Sequence, residues 1–570
     1  MEMHFASVWE NISDHIPDEP ALICDDNIKT WKEYEERAAR LAYFLNEKHI
    51  SNDSKAGLYL HNSNEYLEAQ FAIFKVEGVP INVNYRYVEE ELIYLLDNSD
   101  SEVVFFQNSY SERIKKIANQ LPNIKAFIQV GGKEPLDLNN CYMYEEIISQ
   151  NPPLERKLRS EDNIYMLYTG GTTGMPKGVM YKQGAFMSSL LKTAFAMGFD
   201  VPESHLDISK TVSDLSSKGM LSKTIVACPL MHGTGMWLGA LVPFFSGGSC
   251  VTIPQLGFDP DLLLKKVQDL KINNIVIVGD AFARPILDSL NKAKDQGNPY
   301  DLSSLRSMIS SGVMWSAEVK EGLLEHADIT LIDAMGSSEG GMGSAVSNRE
   351  NPVKTAKFSI NPGVIVVADD GEEVEPGSDK MGKIGTSGLV PEGYYKDQKK
   401  SDETFKEYKG VRYSFPGDYA TVEADGTIKL LGRGSNCINT AGEKVYPEEV
   451  EEALKKHANV FDSLVVGVED EKFGQKVVAV VSSDLPSLDA DELVNFARSH
   501  LSGYKLPKKI IFVDEVKRAP NGKANYKWAK ETAEEAYQLD QIIFDALNSD
   551  LKVDKKTEEA ANNIPITFTL

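Results

Sequence analysis

The stretch YTGGTTGMPKGV, from Tyr168 to Val179, decides how the chain is read. It carries glycines, threonines and one lysine but no carboxylate. Thr169, Thr172 and Thr173 offer hydroxyls, and Gly170, Gly171 and Gly174 let backbone N–H groups come close to a ligand. Lys177 adds a positive charge, so the composition suits a polyanion such as a phosphate chain. The apolar NIYMLY before it reads as a strand running into a turn, and a helical pattern resumes only near GAFMSSLLKTAF. The pattern GxxxxGK[ST] is missing, because Lys177 follows Pro176 and precedes Gly178. A kinase or GTPase of the P-loop type is therefore disfavoured, and the stretch reads as an irregular phosphate clamp between strands. A flexible surface turn is the plainer alternative.

Working outward, NIVIVG, SLRSMISSG and DITLIDAMG read as apolar strands, with DPDLLLKKVQDL, DAFARPILDSL and SAEVKEGLLEHA as helices between them. Asp259 and Pro260 form a cap and first-turn pair, followed by Leu263, Val267 and Leu270 at helical spacing. Apolar strands alternating with helices predict an α/β fold built on mostly parallel sheets covered by helices. Ligands gather at the carboxyl ends of such strands. There lie SSG, with Ser311 and Gly312, and MGSSEGG, with Gly336, Ser337, Ser338 and Glu339. A carboxylate in that place suits a hydrated magnesium ion shared with phosphate, or it is a surface glutamate.

Near residue 430 the texture changes. EADGTIK is a hairpin signal, with Asp418 expected just before the hairpin. After it the chain reads as a small α+β unit, with a helix opened by Pro447, strands at SLVVGVED, KVVAVVSS and KKIIFVDE, and a Leu493, Ala497, Leu501 stripe. The expected division is a large domain over 1–432, a hinge at 433–436, a small mobile α+β domain over 437–530, and an extension over 531–570 holding one amphipathic helix. In VKRAPNGKANYKW, Lys523 follows a turn; it is either solvated or poised to meet negative charge when its domain closes. In PLMHGTGMWLGA, His232 and Trp237 flank glycines. His232 is a packed histidine or a gating, carboxylate-orienting one; Trp237 is core filler or a pocket wall. The glycines would permit a roomy pocket.

The bulk numbers narrow the classes. The chain has 570 residues, 42% of them hydrophobic, too long for one core. Asp and Glu number 85 against 60 Lys and Arg, a formal charge of -25, which argues against general nucleic-acid binding. The five cysteines show no zinc spacing or paired framework, and the acidic N-terminus shows no leader pattern. These point to a cytoplasmic protein with no integral membrane segment.

Together the motifs resemble the acyl-adenylate-forming superfamily of acyl-CoA synthetases, luciferases and peptide-synthetase adenylation domains. YTGGTTGMPKGVM, PLMHGTGMW, MGSSEGG and NTAGEKVYPEEVEEAL are closest in look to bacterial fatty-acyl and steroid-acyl CoA synthetases. The resemblance implies ATP, Mg2+, CoA and a small-molecule carboxylic acid as reactants and partners, with a homodimer a further expectation. It implies a two-step reaction through acyl-AMP to acyl-CoA, with Lys523, Lys177, Thr173 and His232 as the catalytic set. Residues 169–177 would hold the β- and γ-phosphates and Glu339 would place magnesium. Asp418, with Arg433 near it, would bind ribose. Ser311, Gly312, Asp333 and Gly336 through Ser338 would frame adenine and the α-phosphate. His232 and Trp237 would face the acyl group, and the region of Ser435, Gly442, Glu443 and Lys444 would serve the hinge and CoA. Three positions depart from the commoner pattern: Met335 and Ser338 replace an aromatic and a threonine, and Ser435 replaces a hinge Asp or Lys. Competing readings are an acyl-AMP ligase loading a carrier-protein thiol and a non-catalytic nucleotide-binding homologue.

Overall fold

The computed structural model describes residues 2–548 except 172–173, 203–204, 255–256, 314, 352–356, 441–442, 471–473, 484, 486–487, 502 and 520–521. The chain forms two compact units. The first holds residues 1–355, 359–364 and 385–416; the second holds 356–358, 365–384 and 417 onward.

The first unit is built on an open sheet whose strands Pro20–Cys24, Ser249–Thr252, Lys223–Val226, Asn274–Ile277, Ser307–Ser311 and Thr330–Ser337 are neighbours in that order. All five of these pairings are parallel. Gly340–Ser347 then pairs antiparallel with Thr330–Ser337. Asn274–Ile277 is buried along its whole length, as a strand covered on both faces must be. The predicted helix Pro260–Leu270 forms with Asp259 as its cap, the Asp259 carboxylate accepting from Leu262 N–H at 3.0 Å. It buries Leu263, Leu264 and Val267. A second parallel sheet runs Val79–Asn82, Lys55–Tyr59, Ser101–Gln107, Ala126–Val130, Cys141–Met143. A third is antiparallel: Ile164–Gly171 pairs with Gly174–Lys182, and the latter with Gly393–Tyr394.

In the second unit Asp418–Val422 and Ile428–Arg433 make the hairpin that Asp425 and Gly426 signal. A further sheet runs Glu443–Val445, Ile438–Thr440, Gly474–Ser483, Val460–Asp470, with Lys509–Val513 parallel to Gly474–Ser483. Both of its faces are apolar, so alternate residues feed two cores. Val477, Ala479 and Val481 pack with Val450, Leu454, Leu493 and Ala497 from two helices. Val478 and Val480 pack with Ala529, Ala533 and Ala536. Those alanines lie on a helix over Tyr526–Asn548. The helix expected in the extension after 530 thus begins earlier and covers the second face of this sheet. The hairpin from Asp418 also packs on the segment that opens the helix Pro447–Lys455: Tyr419 lies 5.8 Å from Tyr446, and Lys429 meets Glu449. Among the described residues no helix is long and apolar enough to cross a membrane.

Candidate active site

The expected clamp is a β-hairpin. Tyr168 sits opposite Gly178, Thr169 opposite Lys177, and Gly171 opposite Gly174, with a register shift after Thr169. Lys177 is therefore a strand residue, not a helix-cap residue, which explains how it can follow Pro176. Thr172 and Thr173 lie outside the described residues, and Gly170, Gly171 and Gly174 are described by backbone alone. The Lys177 ammonium donates to Asp397 at 2.6 Å and lies 5.7 Å from the centre of the Tyr394 ring. Hydrogen bonds from Lys177 and the Lys400 N–H hold the Asp397 carboxyl below its ordinary pKa.

Glu339 belongs to the tight turn joining the strands Thr330–Ser337 and Gly340–Ser347. It is buried, which removes the surface-glutamate reading. Its N–H donates to Ser337 Oγ at 3.2 Å, and its Oε1 accepts from the Tyr394 hydroxyl at 2.7 Å. The Tyr181 hydroxyl donates to the Ser338 carbonyl at 2.8 Å. The hairpin strand that carries Lys177 thus also pins the turn that carries Glu339. Among the described residues no group of three or more His, Cys, Asp or Glu side chains gathers as a metal cage. One buried carboxylate fits magnesium, which keeps waters and shares itself with substrate phosphates.

Ser311 ends its strand, and Gly312 comes next with φ +90°, a conformation that favours glycine. Gly336 and Ser337 lie opposite Gly341 and Gly340. Asp333 lies on the same strand as Gly336 and Ser337. It is buried, and its carboxylate accepts from Lys320 Nζ at 2.9 Å. Burial raises the Asp333 pKa, while Lys320 pulls it down.

His232 is half-buried in the loop before a π-helix over Thr234–Leu241. Two asparagines pin this loop. Asn62 donates to the Cys228 carbonyl at 3.0 Å and accepts from Leu230 N–H at 2.8 Å. Asn82 exchanges two hydrogen bonds with the Tyr168 backbone, at 2.7 and 2.8 Å, and donates to the Met231 carbonyl at 2.7 Å. Asn82 therefore ties the residue before Thr169 to the residue before His232. Trp237 Nε1 donates to the Tyr165 hydroxyl at 2.9 Å and meets Phe186 edge-on. Two of the three glycines here are needed for close packing. A Cβ on Gly235 would come within 2.3 Å of the Pro229 carbonyl oxygen, and one on Gly239 within 2.6 Å of Val226. They allow close backbone packing.

In the second unit Asp418 opens its strand opposite Arg433, inside the hairpin and not before it. Ser435 lies in a short turn over Gly434–Asn436. Glu443 and Lys444 pair with Thr440 and Asn439, and Gly442 lies outside the described residues. Lys523 is exposed. Its carbonyl accepts from Ala519 N–H, and Gly522 N–H donates to Ala519, both at 2.8 Å. Arg518 anchors this turn through two hydrogen bonds to Asp462, at 2.6 and 2.7 Å, and one to the Gly522 carbonyl at 3.2 Å.

With that geometry in place, the comparison with protein families is decisive: the AMP-binding enzyme family matches residues 9–395. The chain belongs to the AMP-binding enzymes. The C-terminal domain of this family matches residues 449–523, so the match ends on Lys523. This AMP-binding enzyme is 42% identical to a 3-oxocholest-4-en-26-oate–CoA ligase of Rhodococcus rhodochrous, over 93% of this chain and 96% of that protein. It is 41% identical to a medium/long-chain-fatty-acid–CoA/3-oxocholest-4-en-26-oate–CoA ligase of Mycolicibacterium smegmatis, over 94% and 97%. These relatives are acid–thiol ligases, and the AMP-binding enzyme described here is one too. Its fold is similar to that of the anthranilate CoA ligase AuaEII (TM-score 0.80, 21% identity, 94% and 98% coverage). It is also similar to a benzoate CoA ligase from Burkholderia xenovorans (TM-score 0.76, 20% identity, 92% and 99% coverage).

Sequence reading of this AMP-binding enzyme missed Asn62, Asn82, Tyr181, Tyr394 and Asp397. Asn82 had a signal: a polar residue closing the apolar strand Val79–Asn82, at a carboxyl end where ligand loops collect. Tyr394 and Asp397 had none, because their partners lie far away in the chain.

Proposed function

We propose that the protein joins a medium-chain, long-chain or otherwise bulky hydrophobic carboxylic acid to CoA at the expense of ATP. The carrying observation is that Lys177 and Glu339, a phosphate-seeking cation and a metal-seeking carboxylate, meet the ring and the hydroxyl of the same residue, Tyr394. The relatives that act on fatty and steroid acids support the substrate class.

In the first step a carboxylate oxygen attacks the α-phosphorus of ATP. The bond to the β-phosphate breaks, and pyrophosphate leaves with Lys177 and the hairpin backbone around its charge. Glu339 would hold magnesium, whose contribution there is to neutralise phosphate charge. Lys523 stabilises the charge that develops between carboxylate and α-phosphate. Ser311, Gly312, Gly336, Ser337 and Ser338 border the nucleotide, and Asp418 takes the ribose hydroxyls with Arg433 beside it. Asp333 supports this wall through Lys320. His232 orients the carboxylate and Trp237 borders the acyl group. In the second step the CoA sulfur attacks the acyl carbon and the bond to AMP breaks. The proposal includes a hinge at 433–436 through Ser435 between a domain over 1–432 and a mobile one over 437–530. It also includes a CoA-facing segment around Gly442, Glu443 and Lys444, a cytoplasmic setting and a homodimer.

The test incubates the protein with Mg-ATP, CoA and a panel of short, long, aromatic and sterol-derived acids, with products read by mass spectrometry. One or a few acyl-CoAs with matching AMP are expected. Acyl-AMP without acyl-CoA would shift the acceptor to a carrier-protein thiol. ATP binding with no adenylate from any acid would overturn the proposal in favour of a non-catalytic homologue.

A further inference from the structure

The segment Gly393–Asp397, whose short strand is the third of the hairpin sheet, was silent in sequence yet touches both charged residues of the candidate phosphate site. Gly393 and Tyr394 pair with Met180 and Val179, and Tyr395 N–H donates to the Gly178 carbonyl at 2.8 Å. The segment is fixed at its other end too. Tyr394 N–H donates to Ser401 Oγ at 2.8 Å, and Ser401 Oγ donates to the Asp397 carbonyl at 2.8 Å. Tyr395 and Lys396 both bond to Asp100, at 2.6 and 2.8 Å. From this rigid support Tyr394 is buried with its hydroxyl on Glu339, and Asp397 holds the Lys177 ammonium.

A tyrosine ring in this place needs no hydroxyl for packing, since Phe405 already lies against it at 5.1 Å. The hydroxyl leaves Glu339 Oε1 with one fixed donor and fixes the plane of the carboxylate. Asp397 acts on Lys177 in the same way, as an ionic stop that keeps a flexible side chain beside the hairpin backbone. We propose that Tyr394 and Asp397 are positioning residues of the adenylation site, Tyr394 aiming the Glu339 carboxylate at the metal of Mg-ATP and Asp397 aiming Lys177 at its phosphates. This rests on the adenylation reading above.

The test uses the full chain with Tyr394→Phe and Asp397→Asn. Phenylalanine keeps the ring, and asparagine keeps the helix cap that Asp397 gives to Lys400 N–H at 3.0 Å. Mn2+ binding is followed by electron paramagnetic resonance with the α,β-methylene analogue of ATP present, which needs no turnover. Tyr394→Phe is expected to weaken Mn2+ about three- to tenfold, the span that loss of one ordinary net hydrogen bond gives. It should raise the magnesium needed for pyrophosphate exchange by a similar factor and leave the KM for acid unchanged. Asp397→Asn is expected to raise the KM for Mg-ATP about three- to tenfold with Mn2+ affinity kept. Wild-type Mn2+ affinity and magnesium demand in Tyr394→Phe would overturn its role, even if kcat falls. An unchanged KM for Mg-ATP in Asp397→Asn would overturn the other. If the wild type adenylates no acid, the functional reading fails while the Mn2+ measurement still decides the role of Tyr394.

Discussion

Glu339 and Lys523 are both single charged residues in glycine-bearing turns, SSEGG and PNGK, yet they are held in opposite ways. Glu339 is buried, and the hydroxyls of Tyr181 and Tyr394, from remote strands, fix its turn. Lys523 is exposed on a turn closed by its own neighbours, Ala519 and Gly522, and staked by Arg518 on Asp462. One charge is fixed by partners remote in the chain, the other by bonds within and beside its own turn. Under the proposed function the second arrangement suits a residue needed in one half of a reaction.

That contrast can be broken most sharply at Lys523. Lys523→Ala is expected to slow acyl-AMP formation at least about a hundredfold, the range for loss of one donor to developing charge. Transfer from supplied acyl-AMP to CoA should change little, and thermal stability not at all. Pyrophosphate release and thioester formation, measured separately, check this; equal losses in both halves would end the distinction.

Next in size, Asp462→Asn strips the part-buried Arg518 of its carboxylate, a loss of about 2 kcal/mol for the second unit. Hydrogen exchange should show the strand Val460–Asp470 and the Lys523 turn loosening together, with acyl-AMP formation falling more than thioester transfer. Unaltered exchange would mean the Lys523 turn is held by its local bonds alone.

Acid sharpens the comparison between the units. His4 is fully buried, with its Nδ1 accepting from Ala6 N–H at 3.2 Å. Burial, with help from Arg159 and Lys157, lowers its pKa from 6.5 to about 3. Between those values the unfolded chain binds a proton that the native state refuses, so stability is complete above pH 6.5 and falls below it. The loss is about 1.4 kcal/mol per pH unit, or about 2 kcal/mol at pH 5. In Asp462 burial opposes Arg518, yet the carboxyl stays below its ordinary pKa. Its stabilisation is complete above the ordinary aspartate range and is lost only as pH falls through the lowered native value. Urea titrations at about pH 7 and about pH 5, monitored by hydrogen exchange, should show the N-terminal helix Phe5–His15 weakening before the second unit. His4→Gln should flatten that pH dependence; an unchanged slope would remove His4 as its source.

The smallest expected effect lies at Trp237→Phe, which removes the donor to Tyr165, about 1 kcal/mol of stability. The KM for acid should shift about two- to fivefold while the KM for Mg-ATP stays, within what about 1 kcal/mol allows. A shift in the Mg-ATP value would place Trp237 on the nucleotide side.

Much of the fold was legible because its signals are local. Asp259 with Pro260, the apolar NIVIVG, and the Asp425–Gly426 turn each contain their own cause within a few residues. The hairpin identity of YTGGTTGMPKGV was half legible: the clamp could be read, but its register could not, because pairing Thr169 with Lys177 depends on where the second strand lands. In the PLMHGTGMWLGA stretch the use of Gly235 and Gly239 was not legible for a related reason. Glycine permits either space or close contact, and the Pro229 carbonyl and Val226 decide for contact.

By itself the sequence determined the mostly parallel α/β architecture, the small α+β unit that follows it, and the identity of Lys177, Glu339 and Lys523 as candidate groups. Periodicity, caps and turn chemistry act over a few residues and are written in order along the chain. Tertiary structure decided which charges are engaged: Asp333 with Lys320, Lys177 with Asp397, and Glu339 with Tyr394. Partners separated by 220 residues, as Lys177 and Asp397 are, share no local signal. Only the packing of strands and helices fixes the few ångströms on which a hydrogen bond between them depends.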